Sequence, residues 1–318
     1  MTSGPSVTVL VVSYNHAKYI RQCLTSIANQ TLQPRRVLVY DDASYDNTVA
    51  VAREFVSSNG LDFEIVTNSV NRGLCATLNT ALRIVRTEYY TYISADDLML
   101  PERLSVQYQQ MSDVARDVAL SYSDAYRIDE HSQRLPKLFS ERLEWSALSD
   151  LDGSLFRSLS QRNWIPAPSV MLRTDSVRRV GGYDESLFFE DHDLWLRLAR
   201  HYRFVHIAEP LVEFRELASS LGHVEFHEDN PKFLEAYARM LAKHFDDSTS
   251  AESVGPRAWS FAYRLWRTGD VSKQNARTMA LSSRFAPRPT RAYVYSVLAR
   301  LGVGGQLTDP RTVLRFSR

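Results

Sequence analysis

The sequence predicts an α/β protein: a mostly parallel central sheet flanked by helices, followed by a C-terminal helical extension. Three observations predict it. Apolar, β-branched runs alternate with segments of helical period through the first half of the chain. The joints between them are short, as βα units require. Beyond Asp229 the apolar spacing becomes helical throughout, interrupted only by Gly and Pro.

The first strand is VTVLVVSY, Val7 to Tyr14. AKYIRQCLTSIANQ follows, with Ile20, Leu24 and Ile27 on one side of a helix. RRVLVYDD is the second strand, ending in Asp41 and Asp42, and DNTVAVAREFVSS a helix with Asp46 and Asn47 as N-cap candidates. FEIVTN, LCATLNTALRIVRT and YYTYISA give a third strand, a third helix and a fourth strand; ERLSVQYQQM opens the next helix. VALSYSDAYRID reads as a further strand, whereas the polar segment from Ser132 to Arg162 has no clear period. PSVMLR is a short strand, and TDSVRRV a short helix ended by Gly181-Gly182. EDHDLWLRLARHY is an amphipathic helix with Leu194, Leu198 and Trp195 inward, and RFVHIAEPLVEFRE a strand broken by Pro210. Four helical segments close the chain, punctuated by Pro256, Gly269, Pro287 and Pro289. The change of texture at Asp229 divides it into a domain at 1–229 and a basic helical region at 230–318.

A chain of 318 residues accommodates one large α/β domain with an appendage, or two modest domains. The net charge of +1 carries no signal for nucleic acid. From Gly255 onward, twelve basic residues face only Asp270 and Asp309, so this segment is near +10 and the remainder near −9. Such a tail suits an anionic surface or the acidic body of its own chain. Trp259, Phe261, Tyr263, Trp266, Tyr293 and Tyr295 are interleaved with its arginines. That pattern fits peripheral contact with an anionic membrane, and equally a helical subdomain core or a homodimer contact; aromatics at helical spacing are usually core. Cys23 and Cys75 read as buried small hydrophobes in a reducing compartment. Without a leader-like N-terminus or an apolar run near the ~20 residues of a membrane span, the expectation is a cytoplasmic protein, peripheral to the inner face of a membrane at most.

In open parallel sheets, ligands bind beyond the carboxyl ends of the strands. Polar residues collect there: Ser13, Tyr14 and Asn15, then Asp41 and Asp42, Asn68 and Asn71, Asp96 and Asp97. Asp96 and Asp97 are adjacent carboxylates with no cation beside them in the sequence. Either they form a solvated turn before Pro101, or they hold a hard divalent cation that bridges a diphosphate. Asp41 and Asp42 fit a base or ribose contact, or an Asx turn. Tyr14 fits stacking on a base, or a lid over the core. Glu190, Asp191, His192 and Asp193 open a helix after Phe188 and Phe189. Acids suit a first helical turn, but three in four residues exceed that need. An acid beside two aromatics would be partly desolvated and apt as a base.

Five stretches occur in order from roughly Val7 to Arg215: VTVLVVSYNHAKYIRQCLTSIANQT, VLVYDDASYDNT, NRGLCATLN, YISADDLMLPERL and VGGYDESLFFEDHDLWLRL. Together they resemble the signature blocks of the family 2 inverting glycosyltransferases with the GT-A fold. The resemblance implies a Rossmann-like GT-A domain. It implies inverting transfer of a sugar from a nucleotide-diphosphate sugar to a hydroxyl of a glycan or lipid-linked acceptor, in cell-surface polysaccharide or glycolipid synthesis. Ser13, Tyr14 and Asn15 would then line the nucleobase pocket. Asp42 would bind base or ribose with Asp41 beside it, and Asn71 and Gly73 would form the loop over the nucleotide. Asp96 and Asp97 match the Asp-x-Asp-type motif for Mg or Mn, with Asp97 the direct ligand. Asp191 would be the catalytic base with Glu190 beside it, and Trp164 to Ser169 would face the acceptor.

The chain departs from the family pattern twice. Thr77-Leu78-Asn79 stands where many members have Ala-Arg-Asn, so an arginine contact to the nucleotide is absent. Phe214-Arg215-Glu216-Leu217 stands where many have Tyr-Arg-x-His, leaving His223 or His227 as the candidates to replace the histidine. Two rivals follow: a catalytically silent nucleotide-sugar-binding module, and a nucleotidyltransferase. The second is weak, because VVSYNHAKY has no glycine and only Lys18.

Overall fold

Strand β1 (Val7–Ser13) is buried at every residue, as expected for a β-branched run with a neighbour on each side. It pairs in parallel with β2 (Arg36–Asp41) on one edge and β4 (Tyr89–Ser94) on the other. The structure, a computed structural model, describes residues 6–143, 145, 154–218, 220, 225–227 and 230–305. It divides into two units, Met1–Leu155 with Asn163–Leu217, and Phe156–Arg162 with Ala218–Arg318.

In the first unit, helix α1 (Ile20–Ala28) buries Ile20, Cys23, Leu24 and Ile27, the i, i+3, i+4, i+7 stripe of an amphipathic helix. Cys23 and Cys75 are free and buried, as the sequence suggests. Helix α2 (Thr48–Ser58) leads to β3 (Phe63–Thr67), an edge strand paired only with β2 and correspondingly half-buried. Helix α3 (Leu74–Ile84) then returns the chain to the far side of β1, where β4 pairs. This reversal between β1 and β4 opens a crevice at the strands' carboxyl ends, the place where such sheets bind ligands.

With β5 (Leu98–Met99), β6 (Val118–Ile128), β7 (Met171–Arg173) and β8 (Arg203–Arg215), the sheet continues as a mixed one in the order β3-β2-β1-β4-β7-β6-β8-β5. Helix α4 (Arg103–Asp113) precedes β6 (Val118–Ile128), and β7 (Met171–Arg173) is antiparallel to both β4 and β6. Strand β8 (Arg203–Arg215) runs parallel to β6. The expected break at Pro210 does not occur. The strand continues through a register shift in which Asp124 faces Pro210 and Ala125 faces Val212, so the missing N–H falls at a bulge. A two-residue strand, β5 (Leu98–Met99), has no counterpart in the sequence reading; it pairs antiparallel with Val212 and Glu213.

The second unit is helical. Its helices include Pro231–Ala242, Ser248–Arg267, Lys273–Ser282 and Pro289–Arg300. Pro256, read as punctuation, lies inside Ser248–Arg267. That helix persists because Ala251, Val254, Ala258, Ala262, Leu265 and Trp266 bury a continuous stripe on both sides of the proline. Trp259 and Phe261 are 7 % exposed and Trp266 is fully buried, so these aromatics of the basic tail form core.

Candidate active site

The crevice is lined first by the ends of β1 and β2. Asp41 is buried and turned inward: it accepts from Ser13 Oγ at 3.0 Å, from the Ser44 amide at 2.9 Å and from Ser44 Oγ. Asp42 organises the loop before α3. Its Oδ1 accepts from Asn68 Nδ2 at 2.8 Å and the Arg72 amide at 2.9 Å, and its Oδ2 from the Gly73 amide at 2.8 Å. Gly73 adopts φ 83° with open space around a would-be Cβ, so backbone conformation and not crowding selects glycine. Asn71, exposed, accepts from the same amide at 3.1 Å. Asn15 holds the left-handed φ of 58°, donating its amide to Ser44 Oγ and accepting from the Tyr45 amide. Tyr14 (42 % exposed) meets Tyr45 edge-on at 6.2 Å. Tyr45 was missed because nothing in DDASYDNT sets it apart from other turn residues.

At the end of β4, Asp97 is turned into the protein. Its Oδ1 accepts the Arg215 amide at 2.8 Å, while Arg215 Nε donates to the Asp96 carbonyl at 2.7 Å. Burial and the neighbouring Asp96 push the Asp97 carboxyl well above the carboxylate range, and the Arg215 and Arg103 charges oppose that shift. The pair is therefore not without cations: Arg103, from α4, and Arg215, from β8, supply them behind Asp97. Asp96 differs. Its Oδ1 is buried without a partner, and its Oδ2 lies 3.9 Å from His16 Nε2. Among the described residues no three His, Cys, Asp or Glu side chains form a metal cage. A lone carboxylate with an unpartnered oxygen fits Mg or Mn that takes its other ligands from a diphosphate and water. His227 is described and exposed; His223 lies outside the described residues.

The acids after Phe189 have three different sets of partners. Helix Asp191–Ala199 starts at Asp191 with Glu190 as its N-cap residue. Asp193 pairs with Arg197 at 2.7 Å, and Arg197 also donates to the Val180 and Gly182 carbonyls, so this acid is structural. Glu190 Oε1 accepts from Tyr92 OH at 2.8 Å; burial, then the adjacent Asp191, raises its carboxyl to about 8. Asp191 is half-buried, is raised chiefly by burial, and accepts from Asn163 Nδ2 at 2.6 Å. Tyr92 and Asp96 belong to one strand and its turn, so their Cα atoms are at most about 14 Å apart.

Next to Asn163, Trp164 packs edge-on against Tyr122 and Trp145, each at 5.5 Å, and Tyr122 stacks on His206 at 5.0 Å. Tyr90 and Leu120 both pair with Leu172, so Tyr92 and Tyr122, each two residues on, share a sheet face. The aromatic group and Glu190 thus border the same side. Ser169 is not brought there: it is fully buried, with Oγ donating to the Pro166 carbonyl and its own carbonyl accepting from Gln107.

A parallel β-α half-sheet, continued by a mixed half and bearing an Asp-Asp turn at its switch point, defines a GT-A glycosyltransferase. The chain belongs to glycosyl transferase family 2, whose family model matches residues 8–175. It is 28% identical over 215 residues to an uncharacterized glycosyltransferase of Methanocaldococcus jannaschii, covering 66% of this chain and 71% of that one. It is 34% identical over 194 residues to the amylovoran biosynthesis glycosyltransferase AmsE of Erwinia amylovora, covering 60% and 68%. Among solved structures, S. aureus TarS in complex with UDP-GlcNAc superposes with TM-score 0.64 at 17% identity over 93% of this chain and 88% of that one. The mannosyltransferase PcManGT of Pyrobaculum calidifontis, in complex with GDP-Man and Mn2+, gives 0.58 at 19% identity over 99% and 84%.

Proposed function

We propose that this glycosyltransferase moves a sugar, with inversion and with a divalent metal, from a nucleotide-diphosphate sugar to a hydroxyl of a glycan or lipid-linked acceptor. The observation that carries the reading is the architecture around β4. Its end bears Asp96 with an unpartnered oxygen, and its Tyr92 holds Glu190 beside Asp191. The UDP-GlcNAc of TarS and the GDP-Man and Mn2+ of PcManGT support the donor class and the metal. The amylovoran relative supports a polysaccharide product.

In this mechanism Tyr14 and Tyr45 flank the base, and the Asn71–Gly73 loop, held by Asp42, covers the nucleotide. Asp96 is the protein ligand, with Asp97 and Arg215 fixing its turn. When bound, Mg or Mn would neutralise charge on the departing diphosphate. Asp191 accepts the acceptor hydroxyl's proton as that oxygen forms its bond to the anomeric carbon. Asn163 orients the Asp191 carboxylate by its 2.6 Å hydrogen bond. Trp164 and Tyr122 offer apolar faces to the acceptor sugar. The residues of this chemistry all lie in the first unit, Met1–Leu155 with Asn163–Leu217.

The test is a panel of UDP-, GDP- and dTDP-sugars with glycan and lipid-linked acceptors, with Mn²⁺ or EDTA, and product anomers read by NMR. Transfer that requires metal and inverts the anomeric centre is expected. Nucleotide-sugar binding without transfer to any acceptor favours the silent module, and retention of configuration removes Asp191 as base.

A further inference from the structure

Among the described residues the last helix of the helical unit, Pro289–Arg300, turns one large apolar face outward. Its buried residues are small: Ala292, Ser296 and Ala299. Tyr295 packs inward on Tyr263 and Trp266, but Tyr293 (65%), Val294 (51%) and the following Leu301 (73%) are turned out and exposed. At 3.6 residues per turn, Tyr293, Val294, half-buried Val297 and Leu301 fall within an arc of about 100° opposite the buried stripe, with Arg291 and Arg300 at its margins. A helix that only closed its own core would not turn three large apolar side chains to one outward face.

The segment that carries this stripe is strongly cationic. From Val271 to Gly302 the chain has Lys273, Arg277, Arg284, Arg288, Arg291 and Arg300, all exposed, and no carboxylate. A cavity of about 570 Å³ adjoins the helix, lined by Lys273, Arg277 and Arg300 together with Val271 and Leu301. Cations around an apolar floor match the headgroup and upper acyl region of an anionic lipid. A second copy of the same face would set Lys273, Arg277 and Arg300 against like charges, which disfavours a homodimer here.

We propose that the outer face of helix Pro289–Arg300 and the adjoining cationic cavity form a docking surface for an anionic lipid bilayer. Tyr293, Val294 and Leu301 enter the interface, and Lys273, Arg277, Arg291 and Arg300 meet lipid phosphates. The surface goes beyond the transfer reaction and stands whatever sugar is moved.

The test is cosedimentation of the full chain with vesicles of phosphatidylcholine alone, or with phosphatidylglycerol added, at low and raised salt. Binding is expected only to the anionic vesicles, and it weakens with salt. Arg291→Gln with Arg300→Gln should weaken it roughly 30-fold, and Tyr293→Ser with Leu301→Ser by about tenfold or more. These side chains are exposed, and an unchanged thermal melt serves as the control for folding. Absence of binding to anionic vesicles at low salt overturns the proposal, as does unaltered binding by both variants. So does a dimer, seen by light scattering, that the same substitutions dissolve.

Discussion

The Arg215 amide donates to Asp97 Oδ1 at 2.8 Å, tying the last residue of β8 to the turn after β4. The Arg215 guanidinium grips the same turn at the Asp96 carbonyl, reaches the Asp129 carbonyl at 2.7 Å, and stacks over Tyr19. Pairing of β5 with β8 sets this register. Asp97 Oδ1 is thereby committed to holding the turn, whereas Asp96 Oδ1 is buried without a partner.

This division separates the two acids experimentally. Asp96→Asn should abolish the Mn²⁺-dependent rise in melting temperature with a nucleoside diphosphate. Asp97→Asn retains an oxygen that accepts the Arg215 amide, so its metal response should stay within about tenfold of wild type. Thermal-shift titration with Mn²⁺ reads both. The reverse pattern would return the ligand role to Asp97.

Asp191→Asn should lower transfer on the order of 10²–10⁴-fold while leaving donor binding unchanged. Asn163 donates to Asp191, and this bond favours the ionised carboxylate. Asn163→Ala should therefore raise the Asp191 carboxyl further and move the acid limb of the kcat/KM profile to higher pH. An acid limb that stays in place, or moves down, contradicts the assignment of Asp191 as base.

Glu190 makes the pH dependence of stability testable. Its folded carboxyl titrates near 8, against an ordinary value of 4.5. Between those values the unfolded chain has released a proton that the folded protein keeps, so this group makes stability fall as pH rises. Glu190→Gln keeps an acceptor for Tyr92 OH and removes the buried charge. Its melting temperature relative to wild type should rise by several degrees from pH 5 to pH 9. A difference that is flat across that range, or falls, would show that Glu190 ionises normally.

The parallel half of the sheet was legible because its signals are local: β-branched runs, a helical stripe in α1, and acids at strand ends. What escaped depends on residues distant in sequence. β5 is two residues long and exists only through β8. His16 and Tyr45 become site residues when two loops meet, and Arg103 and Arg215 become the cations behind Asp97 only after folding. Ser169 looked available beside Trp164, yet the 3₁₀ turn at Ala167–Ser169 rotates it into the interior. In the basic tail, periodicity alone could not tell Trp266, fully buried, from Tyr293, mostly exposed.

The Gly181-Gly182 turn supplies the last prediction. Gly182 has φ 72°, and a Cβ there would lie 2.7 Å from Asn79 Oδ1. Asn79 cannot easily withdraw, because Oδ1 accepts the Tyr183 amide at 2.9 Å and Nδ2 donates to the Tyr183 carbonyl at 2.8 Å. Tyr183 in turn shares a hydrogen bond with Tyr90 and packs edge-on against Tyr92, which holds Glu190. Gly182→Ala should thus cost about 1–3 kcal/mol by backbone strain alone, with a further loss as Asn79 is displaced. Asn79→Ala removes the clash together with its hydrogen bonds, so the double variant should be less destabilised than the two single changes added together, with a coupling of about 0.5–3 kcal/mol. Urea denaturation of the four proteins measures this cycle. Strict additivity would mean that strain at Gly182, and not the close approach of Asn79, is what demands glycine in the turn.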